Sequence, residues 1–304
     1  MSGIGQVVEK YSKLIKDSKI VDSSYSFPVG SDIFFFALPL DDDIQLLNTL
    51  LDKGHNVKCM TVCETETVHP KYEKLFEILK KYNKKILVPS EFCKKVFEKQ
   101  FDISTIVLRH YVPHIWPPNK PIEYVQGRPY IFYHIGNVMD PRKNIQMIIN
   151  AFIELKLENS KLFLKATCVS EVKIDHPDIC VVNGLLADNV IEKIHIGSHC
   201  YVSCSHSEGV GMGAVEAALY NKPVIISDYG GASEYIRTPF LVKCDKGEIG
   251  YDDFLFQRDM EWGHPRYEDL VKYMKMCYES KLTFADHSHT HDMVKLTPRD
   301  LFQG

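Results

Sequence analysis

The chain has 304 residues, 45% of them hydrophobic and 25% charged, with a formal net charge of −4. This is globular composition, long enough for two domains with buried cores, and it lacks the basic stripe that a nucleic-acid partner would require. No run of ~18 apolar residues and no apolar leader core near the start is present, so a cytoplasmic chain without a membrane span is expected.

From the amino terminus, a first helix is expected to place Lys10, Lys13 and Lys16 beside Val7, Leu14 and Ile15, a solvated face or a peripheral membrane contact. Strand-length apolar runs follow at 32–40, 56–63, 85–90 and 105–112, with amphipathic stretches between them. Asp41, Asp42 and Asp43 precede a helical run and read as a helix start rather than a metal-binding pair. Residues 113–129 contain five prolines and a glycine, which neither a helix nor a central strand accepts, and are expected to link two domains. Strands are then expected at 130–136, 161–168, 179–185, 200–205 and 223–227, with helices at 144–156, 188–196 and 211–220, a loop from 259 and a helix from about Tyr267. The His-rich segment 281–304 is expected to be a polar tail. Strands alternating with helices imply an α/β chain with parallel sheets. The expected boundaries are a small first domain at 1–115, a linker at 116–129, a second domain at 130–280 and the tail. The nine cysteines are an odd count within apolar runs and read as buried reduced thiols.

Ligands of open parallel sheets bind at the carboxyl ends of the strands, where helix amino termini favour anions. Three such ends carry suitable chemistry. After 200–205, Glu208, Gly209, Val210, Gly211 and Gly213 lead into a helix bearing Glu216, and glycines there let backbone N–H groups approach a pyrophosphate. Glu208 is placed in the loop and Glu216 in the helix. After 130–136, Gly136 and Asn137 lead to Arg142 and Lys143 at an expected helix start, where cations oppose the helix dipole and call for an anion. After 223–227, Gly230 and Gly231 form a tight turn before Ser233 and Glu234. His206, beside Glu208, is either close to the ligand or structural. The alternating His287, His289 and His291 read as incidental to the tail.

With these residues in place, the second half resembles the retaining family-four, glycogen-synthase-like glycosyltransferases. Their signature, Glu-Gly-Phe-Gly…Glu, then Pro-Val, then Gly-Gly-x-x-Glu, stands here as Glu208-Gly209-Val210-Gly211…Glu216, Pro223-Val224 and Gly230-Gly231-Ala232-Ser233-Glu234. The segments 87–97, 63–75 and 259–274 are similar to further stretches of that family. The resemblance implies GT-B architecture: two Rossmann-like domains with parallel sheets facing across a cleft, the first one small. It implies a nucleoside diphosphate sugar as donor substrate, a glycan, lipid or protein hydroxyl as acceptor, retention of anomeric configuration, and no metal or other cofactor. Carried over, Glu208 meets the donor sugar, Glu216 the nucleotide ribose and Lys143 the phosphates. The family's arginine six residues before that lysine is Asn137 here, so either Arg142 substitutes for it or the donor preference differs. Gly3 and Gly5 resemble the family's glycine loop, with Gly5 and Gly3 approaching the phosphates, and Glu64 and His69 are the local candidates near the reaction centre. A non-catalytic sugar-nucleotide-binding subunit is the competing reading. A nicotinamide-dependent oxidoreductase ranks last, because Val8 stands where its third glycine would be.

Overall fold

The computed structural model describes residues 3–15, 17–21, 26–112, 123–168 and 170–296, with side chains from Val8 onward. Residues 116–122 of the expected linker lie outside them, as do Lys16 and residues 297–304. The chain divides into two compact units. One comprises Met1–Pro113, Glu248–Trp262 and Val294–Gly304, and the other His114–Gly247 and Gly263–Met293.

The first unit contains α1 (Gly3–Ser12), β1 (Asp32–Phe36), α2 (Asp41–Asp52), β2 (Asn56–Met60), α3 (Tyr72–Lys81), β3 (Ile86–Val88), α4 (Glu91–Gln100) and β4 (Thr105–Val107). Its four strands pair in parallel in the order β1-β2-β3-β4. Side chains alternate across a strand, and the alternation sorts the core. Val57, Cys59, Ile86 and Val88 join the main cluster with Leu75, Phe76 and Phe97, while Met60 and Leu87 join Tyr11 and Leu108 in a second one. Tyr11 fixes α1 there by donating to the Arg109 carbonyl at 3.0 Å. Ser90 caps α4 by accepting from Cys93 N at 3.2 Å. The Asp41–Asp43 run lies in the first turn of α2, and Asp43 Oδ2 accepts from Leu38 N at 2.8 Å. Gly3 and Gly5 lie within α1, which corrects their expected place in a loop before it.

The second unit contains β5 (Tyr130–Gly136), α5 (Ile145–Leu155), β6 (Ser160–Ala166), β7 (Ile179–Asn183), α6 (Asp188–Gly197), β8 (Cys200–Ser203), α7 (Met212–Leu219), β9 (Val224–Ser227), α8 (Ala232–Tyr235), β10 (Leu241–Val242), α9 (Tyr267–Glu279) and α10 (Ser288–Met293), and the division between the units falls within β11 (Cys244–Glu248) and β12 (Glu261–Pro265). Six strands pair in parallel in the order β10-β9-β8-β5-β6-β7. Central strands of such a sheet are covered on both faces, which is why β8 and β9 read as continuous buried runs. The chain steps outward from β5 to β6 and β7, then returns to the other side of β5 to build β8, β9 and β10. The order therefore reverses between β5 and β8, and the carboxyl ends of those two strands flank the crevice where open sheets bind ligands.

Three segments differ from expectation. β12 pairs with β11 where a loop was expected after 259, and Glu248–Trp262 groups with the first unit. The segment 281–296 is a packed strap, not a tail. Ala285 N donates to Asn221 O at 2.9 Å, His287 bonds the Lys222 carbonyl at 2.8 Å, and Thr290 donates to Tyr235 O at 2.7 Å. The cysteines are free thiols, six of them buried. No described helix is long and apolar enough to cross a membrane.

Candidate functional site

The loop 204–211 leaves β8 at the reversal point and enters α7. Gly211 holds φ at +73°, the left-handed conformation that an amino acid with a side chain adopts at a cost, and its carbonyl accepts the first α7 bonds from Ala214 N and Val215 N. Gly213 brings the first turn of α7 against the end of β5, since a Cβ there would lie 2.8 Å from Ile135 O. The Gly230-Gly231 turn closes on the loop from behind. Gly231 N donates to Glu208 O at 2.7 Å, and a Cβ on Gly230 would stand 2.6 Å from that carbonyl. The double glycine thus shapes the backbone around Glu208. Val210 is buried in the loop, with Gly209 beside it.

Arg142 and Lys143 do not open α5. They form a 3₁₀ turn, Pro141–Lys143, capped by Asp140 accepting from Arg142 N at 3.0 Å, and Asn144 at φ +51° separates the turn from the helix. The anion facing them is Glu208. Lys143 Nζ lies 2.5 Å from Glu208 Oε1, Ser205 Oγ donates to the same oxygen at 2.7 Å, and Arg142 Nη1 lies 3.2 Å from Oε2. Arg142 also donates to Ser207 O at 2.9 Å and pairs with Asp140 at 3.2 Å. The three central side chains are 13–17% exposed. Burial raises the Glu208 pKa, but Lys143 and Arg142 outweigh it and hold the carboxyl well below its ordinary range.

Gly136 ends β5, and His134 explains it: a Cβ at 136 would lie 2.8 Å from His134 Nε2. His134 Nδ1 bonds Val202 O at 2.8 Å, and burial keeps its ring neutral, with its pKa down at about 4. Asn137 is exposed and accepts from Met139 N at 3.2 Å, so it closes a turn and brings no charge. Glu216 lies in α7, with His195 Nε2 4.0 Å from its Oε2. His206 Nδ1 bonds Gly263 O at 2.8 Å, its ring edge-on to His264, and burial lowers its pKa. His289 bonds Glu234 O at 3.1 Å within the strap.

The structure thus brings Gly136, Arg142, Lys143, Glu208, Gly209, Val210, Gly211 and Glu216 to one end of one sheet. Glu64 and His69 belong with Gly3 and Gly5 to the other unit. His69 is buried and accepts from Lys71 N at 3.1 Å, and burial, then Lys71, lowers its pKa. Sequence reasoning assigned no role to Asp140, Ser205 or His195; the Asp-Pro pair before Arg142 was a readable cap signal, whereas His195 carried none. Among the described residues no group of three or more His, Cys, Asp or Glu side chains is placed to hold a metal ion.

Residues 177–243 match the family model described as "Glycosyl transferases group 1". The span holds Glu208, Glu216 and the Gly230-Gly231 turn, while Arg142 and Lys143 fall before it. No curated protein sequence matches the chain. Among solved structures it is similar to a mutant of S. aureus TarM in complex with Fondaparinux, alpha-GlcNAc-glycerol and UDP, with TM-score 0.60 and 15% identity over 84% of this chain and 52% of that one. It is also similar to a glycosyltransferase from Rickettsia africae ESF-5, with TM-score 0.60 and 16% identity over 89% of this chain and 74% of that one. A third is the lipopolysaccharide outer core galactosyltransferase WaaB, with TM-score 0.57 and 13% identity over 98% of this chain and 77% of that one. The chain spans about half the length of the TarM chain. The fold is therefore that of the GT-B glycosyltransferases, with parallel-sheet α/β units as the sequence suggested, and the segment similar to the group 1 family model lies in the second unit.

Proposed function

We propose that the chain transfers a sugar from a nucleoside diphosphate donor to a hydroxyl acceptor. The observation that supports this most is the meeting of Arg142, Lys143, Glu208 and the α7 amino terminus at the sheet's reversal point, inside or beside the segment that matches the group 1 family. In this reading the bond between the anomeric carbon and the diphosphate oxygen breaks, and its electron pair stays on the departing phosphate. Lys143, Arg142 and the N–H groups opening α7 stabilise that charge. The acceptor oxygen bonds the anomeric carbon, its proton passes to the departing phosphate oxygen, and Glu208 orients the sugar and offsets the positive charge developing on it. Glu216 holds the ribose. Retention, independence of metal and the hexose class of the sugar rest on the family resemblance, and uridine as base is favoured by the UDP in the TarM complex.

A non-catalytic nucleotide-sugar-binding subunit is the competing reading, favoured by the exposed Asn137 amide where the resemblance has an arginine. A thermal-shift screen against UDP, GDP, ADP and TDP and their sugars, followed by donor turnover, tests both. A ligand bound by the native state alone raises the melting temperature. A shift with turnover that Glu208→Ala abolishes supports the transferase, a shift without turnover supports the binding subunit, and no shift with any of them rejects both.

A further inference from the structure

Strand β8 ends at Ser203, and the chain there carries a pair of hydroxyls that no step of the proposed chemistry uses. Side chains alternate along an extended segment. Cys200, Val202 and Cys204 join the apolar cluster of the second unit, and Ser203 and Ser205 turn to the other side, where their Oγ atoms lie 3.2 Å apart. Both are buried. Three residues on, the loop brings Glu208 back over Ser205, whose Oγ donates to Glu208 Oε1 at 2.7 Å.

The direction of this chain follows from the protons available. Burial opposes ionisation of Glu208, but Lys143 and Arg142 keep it ionised, and a carboxylate only accepts. The single hydroxyl proton of Ser205 is therefore committed to Oε1, and the contact between the serines is filled by the proton of Ser203. The donors divide unevenly over the carboxylate: Oε1 accepts from Lys143 and Ser205, and Oε2 from Arg142. A diphosphate that draws off both cations leaves Oε1 with its serine and Oε2 with no donor among the described residues. Serine carries no charge for the phosphate to attract, so its bond outlasts the exchange. The two oxygens, equivalent in a free carboxylate, are then distinct.

We propose that Ser205 is a positioning residue for Glu208: it keeps Oε1 anchored while the diphosphate takes Lys143 and Arg142, and so presents Oε2 to the donor sugar. Ser203 holds the Ser205 oxygen in place. The inference rests on the reading of Glu208 as the sugar contact and adds which of its oxygens meets the sugar.

The test is calorimetric titration of the full chain with UDP, UDP-glucose and UDP-N-acetylglucosamine, the affinity of each sugar nucleotide being divided by that of UDP. Ser205→Ala is expected to lower this ratio about tenfold, the size of one hydrogen bond to a charged group, while UDP itself stays within about twofold. Ser205→Cys places a weaker donor at nearly the same point and is expected to recover part of the loss. Ser203→Ala leaves the bond to Glu208 in place and is expected to lower the ratio only ~2- to 3-fold. A serine that merely supports the loop would lower all three affinities together and leave the ratio where it was, and that result overturns the inference. So does an unchanged ratio in Ser205→Ala when Glu208→Ala lowers it. A ratio that Glu208→Ala does not lower removes the sugar reading of Glu208, and a native chain that binds none of the three compounds removes the uridine donor. The inference falls with either.

Discussion

Lys143 Nζ and Glu208 Oε1 stand 2.5 Å apart, joining a 3₁₀ turn after β5 to the loop after β8 across 65 residues of sequence. Removing one partner of a buried pair costs more than the pair contributes, because the other charge is left behind. Arg142 would still face Glu208, so Lys143→Ala is expected to lower stability by about 1–3 kcal/mol rather than the full loss of an isolated pair. Urea unfolding at pH 7 reads this directly, and a midpoint equal to the parent's would show that the contact holds nothing together.

Glu208→Gln separates binding from turnover. The substitution keeps the shape and frees Lys143 and Arg142 from their internal counter-charge, so affinity for a nucleoside diphosphate without sugar is expected to rise by several fold. Sugar transfer is expected to fall about 10²–10³-fold, the range seen when one charge-stabilising group is removed from a transition state. Weaker diphosphate binding in this variant would mean that Glu208 does not compete with phosphate for the two cations.

Gly230 and Gly184 share a left-handed backbone, φ +81° and +91°, but not their surroundings. A Cβ on Gly184 meets nothing within 4 Å, whereas one on Gly230 lies 2.6 Å from the Glu208 carbonyl. Gly184→Ala is therefore expected to cost only the conformational strain, about 1–2 kcal/mol. Gly230→Ala adds a clash with backbone of about 1–3 kcal/mol and moves Glu208, so diphosphate binding should drop with it. Equal losses in the two variants would show that strain alone explains both.

Two buried imidazoles make this fold sensitive to acid. Burial lowers the imidazole pKa of His134 to about 4 and of His110 to about 3, from 6.5. Between those values the unfolded chain binds protons that the native chain refuses, so stability is fully present above about pH 6.5 and is lost as the pH falls. Each histidine adds a slope of about 1.4 kcal/mol per pH unit in its window. From pH 7 to pH 5 the two together are expected to lower unfolding stability by about 2–4 kcal/mol. His134→Gln should remove about half of that dependence, and an unchanged pH profile in that variant would mean that the buried ring carries none of it.

The strands of the second unit were legible because a parallel sheet covered on both faces needs unbroken apolar runs, and 130–136, 200–203 and 224–227 are such runs. Glu208 in a loop and Glu216 in a helix followed from glycines at 209, 211 and 213. What was not legible depended on contacts distant in sequence. The 3₁₀ turn at Pro141–Lys143 was read as a helix start because the left-handed Asn144 that ends it has no signature apart from its residue type. The strap at 281–296 has the polar, His-rich composition of a tail. It folds because His287 and Thr290 satisfy the Lys222 and Tyr235 carbonyls 65 and 55 residues away. In α1 the family resemblance suggested a glycine loop at Gly3 and Gly5, yet both are helical.

The clamp on Glu208 also bears on what the site ignores. Two cations, Arg142 and Lys143, face two carboxylates, Glu208 and Asp140, so a bare inorganic anion meets a neutral cluster whose ion pairs it must break without return. A ligand carrying a diphosphate and a polyhydroxyl group together gives the displaced carboxylate new hydrogen-bond donors as it takes over the cations. If the proposed donor binds here, the arrangement works as a coincidence filter: phosphate and hydroxyls arriving on one molecule give both the cations and the carboxylate new partners, which inorganic phosphate alone does not.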